Sequence, residues 1–473
     1  MNDNPYYLLP FYFQQFNDKE IIVNEVGDYL VVAGGMVQRI VYKQVKEDEE
    51  LFHDLLSNCF ISLTPVPELI DVYAVRLRTK KSFLDHFTAL HIFVLTLRCN
   101  QNCIYCQASS RNENACEIDM KQSDLQKAVE LMFKSPAPHL TMEFQGGEPT
   151  LTPHLIRFAV EYAEEINLTK MRQMTYVLCT NSINLTDELL SFCKQYNILI
   201  STSLDGYPTL HNHNRGKQSS YEQVIAGIEK VRTYLGADKV SALMTTSIEA
   251  LNYPKDIINT YLKNGFHNIF IRGLNPYGLA AKNTNWEEYN RCFVEFYKQA
   301  LEYIIELNKQ GEFFVEEFTA FILRKILTPF PIGFVDLQSP AGMINNVIVY
   351  NYDGYVYASD ESRMLAEVQD YTFRLGHIND KYEDIFYGKK AQKISKIWAT
   401  ECIAGCSDCA YHLYCGADPV RNHSTQGDMY GHRPTSMFCK RYQAIIDHIF
   451  ILLTNRKEEV LPIFKSWINN TCE

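Results

Sequence analysis

Three cysteines on one short segment, Cys99, Cys103 and Cys106, are the residues of this sequence best placed to hold a metal centre. They directly follow an apolar run over residues 91–97 that predicts a buried strand, so they lie on the loop at its C-terminal end. Three thiolates can bind three irons of a [4Fe–4S] cluster, and the fourth iron is then open to another ligand. The three cysteines alone fit a zinc site, or no metal at all, about equally well.

The segment after the second predicted strand is suited to binding a small polar molecule. Gly146 and Gly147 would let the backbone approach a ligand closely, and Glu148 can accept a hydrogen bond from an ammonium group. A plain turn between a strand and a helix is the alternative. Asn181 ends the third predicted strand, where a helix cap explains it equally well.

Later strands end in further candidates. Ser203 ends the fourth predicted strand, and Arg215 follows twelve residues later with a fork of donors that suits a carboxylate. Leu274 ends the sixth, where a single leucine is most simply a core residue.

A second group of cysteines lies near the C-terminus, with the pattern Cys402-x3-Cys406-x2-Cys409-x5-Cys415 followed by Cys439. Taken alone, this group fits either zinc or an iron–sulfur cluster. It lacks the two Cys-x2-Cys pairs of a zinc ribbon.

The composition indicates a globular protein, with 473 residues, 46% of them hydrophobic and 21% charged. The net charge of −11 argues against a nucleic-acid partner and against an anionic membrane surface. No apolar run reaches spanning length, and the start lacks a signal-peptide pattern. Because the cysteines are clustered, we expect metal sites in a reducing compartment and a cytoplasmic protein.

The predicted elements divide the chain into three parts. Residues 1–85 read as a small α/β module, and residues 86–310 alternate strands with helices. Residues 311–473 begin with a hairpin at 347–357, whose Asp-Gly supplies the turn. The six strands are predicted at residues 91–97, 140–144, 175–179, 198–204, 240–246 and 268–274. Six β/α units predict an α/β fold with an open, partial (β/α)6 barrel, and ligands gather at the C-terminal ends of such strands.

The C-x3-C-x2-C loop, with an aromatic residue before its last cysteine, and the Gly-Gly-Glu at 146–148 resemble the radical S-adenosylmethionine (SAM) superfamily. The resemblance implies that SAM chelates the open iron and is cleaved to a 5′-deoxyadenosyl radical. The electron would come from a donor such as flavodoxin or ferredoxin. The SAM contacts that it implies are Ile104, Tyr105, Gly146, Gly147, Glu148, Asn181, Ser203, Arg215 and Leu274.

The C-terminal cysteines resemble the SPASM extension, which usually carries two auxiliary [4Fe–4S] clusters. The ligands implied for the outer cluster are Cys406, Cys409, Cys415 and Cys439. Ser339, Ser359 and Pro419 stand where the family pattern has cysteines of the inner cluster. We therefore expect one auxiliary cluster. Cys402 does not fit the pattern and is either a substitute for Cys439 or a spare thiol.

Asp360 matches an aspartate that acts as a base on the substrate in sulfatase-maturating relatives, and an ordinary loop carboxylate is an equal alternative. The phrases at residues 352–363, 414–420 and 434–439 resemble the His-Xaa-Ser system maturases. This resemblance implies a ribosomally made precursor peptide as substrate and a cyclophane-type cross-link formed from an unactivated C–H bond. Residues 1–85 would bind the leader of the precursor by strand addition, or simply cap the barrel.

Two other functions are consistent with these patterns. One is an anaerobic sulfatase maturase, which oxidises Cys or Ser to formylglycine. The other is a non-catalytic iron–sulfur protein that binds a partner.

Overall fold

The computed structural model describes residues 6–65 and 67–470, so the first and last residues of the predicted outer domains lie outside it. The N-terminal elements are β1 (Tyr7–Leu8), β2 (Phe11–Phe16), β3 (Lys19–Asn24), β4 (Tyr29–Ala33), α1 (Met36–Val41), α2 (Glu50–Ser57), β5 (Ile61–Ser62) and α3 (Pro67–Lys80). Strands β2, β3 and β4 form an antiparallel sheet, while β1 pairs with β5. Ile22, Ile40, Leu55 and Phe60 are fully buried in a core of this module's own.

The N-terminal module packs against the cysteine-rich C-terminal part of the chain. The Tyr12 ring lies edge-on to His412 with centroids 4.6 Å apart. The Tyr414 hydroxyl donates a hydrogen bond of 2.9 Å to the backbone oxygen of Gly27. Lys80 Nζ donates to the backbone oxygen of Lys325 at 3.0 Å. The module therefore shares buried contacts with the segment that carries the second group of cysteines.

The central elements alternate as the sequence predicts. They are β6 (Leu90–Thr96), β7 (Arg98–Cys99), β8 (Arg111–Asn112), α4 (Gln122–Met132), β9 (His139–Gly146), α5 (Pro153–Lys170), β10 (Gln173–Thr180), α6 (Asp187–Gln195), β11 (Leu199–Ser203), α7 (Pro208–Arg215), α8 (Ser220–Leu235), β12 (Val240–Leu243), α9 (Pro254–Lys263), β13 (Asn268–Ile269), α10 (Gly278–Asn283) and α11 (Trp286–Lys309). The neighbouring strands β6, β9, β10, β11 and β12 are parallel. The helix-covered parallel sheet, and with it the predicted α/β fold class, is confirmed.

The sixth predicted strand is shorter than expected. Regular pairing covers only Asn268–Ile269, and one bridge, Thr246 to Gly273, links this segment towards β12. The backbone N–H of Ile271 donates to the buried Glu316 carboxylate at 3.1 Å. A side chain therefore satisfies a backbone donor that a continuous strand would have paired.

The C-terminal elements complete the sheet as well as the helical layer. They are β14 (Val315–Glu316), α12 (Glu317–Leu327), β15 (Val347–Tyr350), β16 (Tyr355–Tyr357), α13 (Asp360–Ala366), β17 (Arg374–His377), α14 (Tyr382–Phe386), α15 (Lys389–Ser395), α16 (Pro419–Gln426), α17 (Met437–Asn455) and α18 (Lys457–Asn470). The predicted hairpin is present as β15 and β16, and β15 also pairs in parallel with β6. The sheet thus runs β12-β11-β10-β9-β6-β15-β16-β17, across the predicted boundary at residue 310.

Buried aromatic and polar groups join the hairpin to the barrel. Tyr350 is fully buried, 4.9 Å from the ring of Phe93, and its hydroxyl lies 3.1 Å from Nδ1 of His91. Burial lowers the pKa of His91 to about 3, so its ring is neutral at physiological pH. Across residues 6–65 and 67–470, no helix is both long and apolar enough to cross a membrane.

Candidate active site

The C-terminal ends of the parallel strands surround a cavity of about 250 Å³. Its lining includes all but one of the residues predicted around the first cysteine loop: Cys99, Cys103, Tyr105, Cys106, Gly146, Gly147, Glu148, Asn181, Ser203, Arg215, Leu274 and Asp360. Ile104 is the exception, since its side chain is 39% exposed and is not part of the lining. The fold brings together residues that are up to 261 positions apart in the sequence.

The three thiols on this loop have an environment suited to metal ligation. Burial raises the pKa of Cys99 to about 12, and burial likewise raises the pKa of Cys103. The Gln101 N–H donates to Cys99 Sγ at 3.4 Å, and Arg215 Nη1 lies 3.8 Å from Cys103 Sγ. Because a coordinated thiol is deprotonated outright, iron would keep these thiols ionised where burial alone would not. The donor set therefore fits an iron–sulfur cluster with one open iron.

The two glycines of the Gly-Gly-Glu segment are required by packing against the cysteine loop. A Cβ atom on Gly146, at φ +153°, would lie 2.1 Å from the Thr96 oxygen, and one on Gly147 would lie 2.2 Å from the Arg98 oxygen. The Gly147 N–H donates to the same Thr96 oxygen at 2.8 Å. These glycines line the cavity. The sequence suggested that they make room for a ligand, but the atoms that exclude a side chain here belong to the protein backbone.

Glu148 is 1% exposed and already accepts four hydrogen bonds. They come from Thr150 N (3.1 Å), Thr150 Oγ1 (2.7 Å), Thr180 Oγ1 (2.7 Å) and Asn181 N (2.8 Å). Burial raises the pKa of this carboxyl group, and the hydrogen bonds act in the opposite direction. Three of the four donors reach Oε1, so Oε2 has acceptor capacity left for a ligand.

Asn181 holds the cysteine loop in place. Its Nδ2 donates to Asn100 Oδ1 at 2.6 Å, and its Oδ1 accepts from the Ile183 N–H at 3.1 Å. The cap of the following helix is Thr186, whose side chain accepts from Leu189 N. The helix-cap interpretation of Asn181 is therefore wrong, because this side chain closes a turn.

A buried ion pair that the sequence analysis missed lies beside the loop. Asp205 is fully buried and accepts from Arg215 Nε at 2.9 Å and Nη2 at 2.7 Å. The Tyr105 hydroxyl donates to the same carboxylate, and the guanidinium lies 5.5 Å from the centroid of the Tyr105 ring. Thr245 N also donates to it at 3.2 Å. The Arg215 fork, expected to face a ligand, is thus largely engaged by Asp205.

Electrostatics keeps this pair ionised. Burial would raise the pKa of Asp205, but the charge and hydrogen bonds of Arg215 outweigh it, and the pKa lies below its ordinary value. Burial would likewise lower the pKa of Arg215, and Asp205 raises it instead. The Ser-Leu-Asp-Gly segment at 203–206 was the signal for this residue, because it puts Asp205 just beyond the end of β11.

Two further predicted residues complete the wall. Ser203 is the last residue of β11. Leu274 is 4% exposed, and its N–H donates to the Tyr289 hydroxyl at 2.8 Å. Gly278 was missed by the sequence analysis: a Cβ atom there would lie 2.3 Å from the Cys106 oxygen.

Asp360, the first residue of α13, lines the cavity and belongs to the C-terminal part of the chain. Its Oδ1 accepts from Arg363 Nε at 3.0 Å, and Arg363 is almost fully buried. Ser359 caps the same helix by accepting from Ser362 N at 3.3 Å. Asp360 therefore enters the cavity because β16 of the hairpin leads directly into this helix.

The second group of cysteines is also gathered in one place. Burial raises the pKa of Cys415 to about 12 and that of Cys439 to about 11, and both are raised further by the charges of Cys406 and Cys409. The Tyr411 N–H donates to Cys409 Sγ at 3.4 Å. These four thiols are half-buried, as are those of the first loop, whereas Cys402 is exposed.

The three positions where the family pattern has inner-cluster cysteines make structural contacts instead. Ser339 Oγ accepts from Thr400 N at 2.9 Å. Ser359 is the cap of α13, and Pro419 follows the cap Asp418 in the first turn of α16. Serine and proline at these positions are thus explained by capping and by a turn contact.

Similarities to known proteins agree with a SAM-binding site at this position. Residues 93–250 match the Radical SAM superfamily. This segment is a radical SAM domain. The members of this superfamily are enzymes, and their cofactors are a [4Fe–4S] cluster and SAM, as predicted for the first cysteine loop.

Longer similarities extend beyond the radical SAM domain. A cysteine-type anaerobic sulfatase-maturating enzyme of Clostridium perfringens (strain 13 / Type A) is 22% identical, over 76% of this chain and 95% of the relative. The structure of native anSMEcpe with bound AdoMet has a TM-score of 0.63 and 18% identity, covering 80% of this chain and 99% of that one. Streptococcus suis SuiB bound to precursor peptide SuiA has a TM-score of 0.52 and 12% identity, covering 91% and 99%. These structures share the fold of this chain over most of its length.

The buried pair beside the cluster loop predicts a large effect of Asp205→Asn. The change leaves the Arg215 charge buried without a carboxylate, so the free energy of unfolding falls by about 3–5 kcal/mol. Thermal unfolding of the metal-free chain measures this loss. Because the pKa of Asp205 is depressed, the wild-type advantage is present above the ordinary aspartate pKa of about 3.9 and is lost as the pH falls through the lower folded value.

Asp187→Asn is the matched control, since Asp187 pairs with Lys230 at 2.7 Å but its side chain is 67% exposed. Its effect on the melting temperature should be small beside that of Asp205→Asn, because an exposed ion pair contributes little. Equal melting temperatures for the two variants would contradict the structural importance of the buried pair.

Proposed function

We propose that this radical SAM enzyme is a maturase that cross-links side chains of a ribosomally made precursor peptide. The observation that carries the proposal is the cavity at the barrel mouth, where three thiols, Glu148, Arg215 and Asp360 line one chamber. Unactivated C–H bonds have no acidic proton for a general base, so a peptide cross-link at such carbons needs radical chemistry. A cyclophane-type bond, as in the His-Xaa-Ser system maturases that the sequence resembles, is the product that we propose.

The relatives support a peptide substrate. SuiB is known with its precursor peptide SuiA, and anSMEcpe with AdoMet and a peptide, Cp18Cys. Their folds cover 80% or more of this chain. We propose a peptide substrate for the present enzyme as well, without proposing its sequence.

Each lining residue has a proposed task in binding SAM. Cys99, Cys103 and Cys106 would hold the cluster, which supplies with SAM a carbon radical that removes a hydrogen atom from the substrate. Glu148 would accept from the SAM amino group through Oε2, its less occupied oxygen. Arg215 would offer Nη1, since its other two nitrogens face Asp205.

Residues in the wall of the first cavity would make the remaining SAM contacts. Asn181 and the Ser203 hydroxyl end neighbouring strands at the height of the cysteine loop. Tyr105 and Leu274 would pack against the nucleoside and help to keep water out of the cavity. Ile104 would contribute backbone only, since its side chain lies outside the lining.

We further propose one auxiliary [4Fe–4S] cluster, held by Cys406, Cys409, Cys415 and Cys439. Cross-linking removes two hydrogens from the substrate, so an electron must leave after the first hydrogen atom is abstracted. A second cluster inside the same chain would accept it. An external donor such as flavodoxin or ferredoxin would reduce the first cluster, and the cytoplasmic location expected from the clustered cysteines stays a prediction.

Anaerobic reconstitution tests the two proposed clusters. We expect about eight irons per chain, and deoxyadenosine formation with dithionite and SAM. Alanine at all three positions of the first loop should abolish deoxyadenosine formation and leave about four irons. About twelve irons in the wild type would contradict the single auxiliary cluster. Full activity without the three thiols would contradict the radical SAM mechanism.

Asp360 is proposed as the group that accepts a proton from the substrate, because its carboxylate faces the cavity and is oriented by Arg363. Asp360→Asn should preserve SAM cleavage and lower product formation at least tenfold. Exposed Asp48→Asn, which makes the same chemical change, should alter neither. Coupled single-turnover assays of deoxyadenosine and peptide product measure both steps, and full product yield would refute the assignment.

The N-terminal module is proposed to bind the leader at an edge of its three-stranded sheet. The module cannot simply be deleted, because Tyr12 and Gly27 make buried contacts with the C-terminal part. Phe13 is 57% exposed on the edge strand β2, so Phe13→Asp should weaken precursor binding at least fivefold. Leu168→Asp, at an 82% exposed residue of α5, is the control. Equal precursor affinity for the two variants would exclude this edge.

Formylglycine formation is the second candidate. It is favoured by the similarity to the sulfatase-maturating enzyme over 76% of this chain and by the TM-score of 0.63 to anSMEcpe. The serines and proline at the inner-cluster positions argue against it. Tandem mass spectrometry of the product separates the two, since an aldehyde reacts with hydrazine and a cross-link does not.

A further inference from the structure

A second cavity, of about 380 Å³, lies inside the barrel next to the one that the cysteine loop lines. The two cavities share Gln145, Leu243, Arg272 and Asp360 in their walls. A group in the second cavity is therefore separated from the radical site by single side chains. The function proposed above assigns no occupant to this space.

The second cavity has apolar walls and an acidic lining. Leu90 and Ile92 of β6, with Phe270, Phe334 and Met343, supply aliphatic and aromatic surface. Six carboxylates face the same space: Glu143, Glu317, Asp336, Asp360, Glu361 and Asp418. Among the described residues of the lining, Arg272 alone is basic.

Half of these carboxylates form a salt bridge within the described part of the chain. Asp360 pairs with Arg363 at 3.0 Å, Asp418 with Arg421 at 2.9 Å, and Glu361 with Arg272 at 4.0 Å. The other three form no salt bridge with any described residue: Glu143, Glu317 and Asp336.

Asp336 is the unpartnered group of the set. Glu143 accepts from Gln145 Nε2 at 2.6 Å, and Glu317 accepts from Asn268 Nδ2 at 2.7 Å. Within residues 6–65 and 67–470, neither a hydrogen bond nor an ion pair reaches the Asp336 carboxylate. The second cavity thus contains a half-buried carboxylate that the described residues do not hydrogen-bond, and Arg272 and Arg421 act on it only through their charge.

Burial and mutual repulsion raise the pKa values of carboxylates in the second cavity. Burial and the neighbouring charges of Asp336 and Asp360 raise the pKa of Glu361 to about 8. Burial, then Asp418, raises the pKa of Asp336, and burial raises that of Glu317 to about 7. A cation in the cavity would stabilise the ionised forms of all of them.

We propose that this second cavity binds the cationic side chain of a lysine or arginine of the substrate peptide, beside the carbon that reacts. The head group would lie against Asp336 and Glu361, and the methylene stem along the apolar walls. The acceptors come from separate elements, among them β9, α12 and α13, and their spread around the cavity favours an extended organic cation. The inference rests on the proposed peptide substrate and specifies its class.

Binding of two small probes to the full, SAM-loaded, unreduced enzyme tests the proposal. N-acetyl-lysine methylamide should bind at least five times more tightly than N-acetyl-norleucine methylamide, which has a similar length and no charge. Asp336→Asn should remove this preference, and Glu361→Gln should reduce it. Exposed Asp48→Asn should keep it. Saturation-transfer NMR titrations give the dissociation constants.

Equal binding of the two probes, or a preference that survives both cavity variants, would overturn the proposal. So would displacement of the lysine probe by magnesium or calcium at equimolar concentration. Misfolding is checked separately: Asp336→Asn removes a repelling charge and should leave the melting temperature equal or higher. Because no turnover is involved, a negative result here differs from a failure to form deoxyadenosine, which would refute the proposed function.

Discussion

The loop that carries the three cysteines is held in position by backbone contacts with the turn after β9 and with the end of α7. On one side, the turn after β9 lies so close that only glycine fits at residues 146 and 147. On the other side, the N–H groups of Asn102 and Ile104 donate to the backbone oxygens of Arg215 and Asn214. A cluster with an open iron needs its ligands fixed in this way, since a flexible loop would lose entropy on every binding event. The remaining parts of the site are arranged around this rigid loop.

The charges around the two cavities form two groups with different consequences. Asp205 and Arg215 are buried and neutralise each other beside the cysteine loop, so this side of the first cavity is balanced before any cofactor binds. Around the second cavity, half-buried carboxylates outnumber the cations that reach them. Like charges held close together cost stability unless a ligand supplies the opposite charge. The first group is therefore structural in character, and the second has the character of a binding site.

Much of the barrel could be predicted from the sequence, because buried parallel strands are near-continuous apolar runs and each is followed by a helical pattern. The cysteine loop was equally visible, since its ligands lie within eight residues. The pairing of β15 with β6 was not, because it joins residues more than 250 positions apart and leaves no local signal. Asp205 was passed over for a related reason: only the fold shows that Arg215 turns back onto it.

The hairpin of β15 and β16 shapes both cavities. Because β15 adds to the sheet beside β6, the helix that follows β16 begins at the mouth of the barrel and brings Asp360 opposite the cysteine loop. The same chain path seals one side of the inner cavity with residues from 333 to 361. The C-terminal part thus contributes walls to both cavities, and the same part of the chain carries the four half-buried cysteines of the second group. The C-terminal part would then serve both electron transfer and substrate selection. It can do so because its hairpin is hydrogen-bonded into the central sheet.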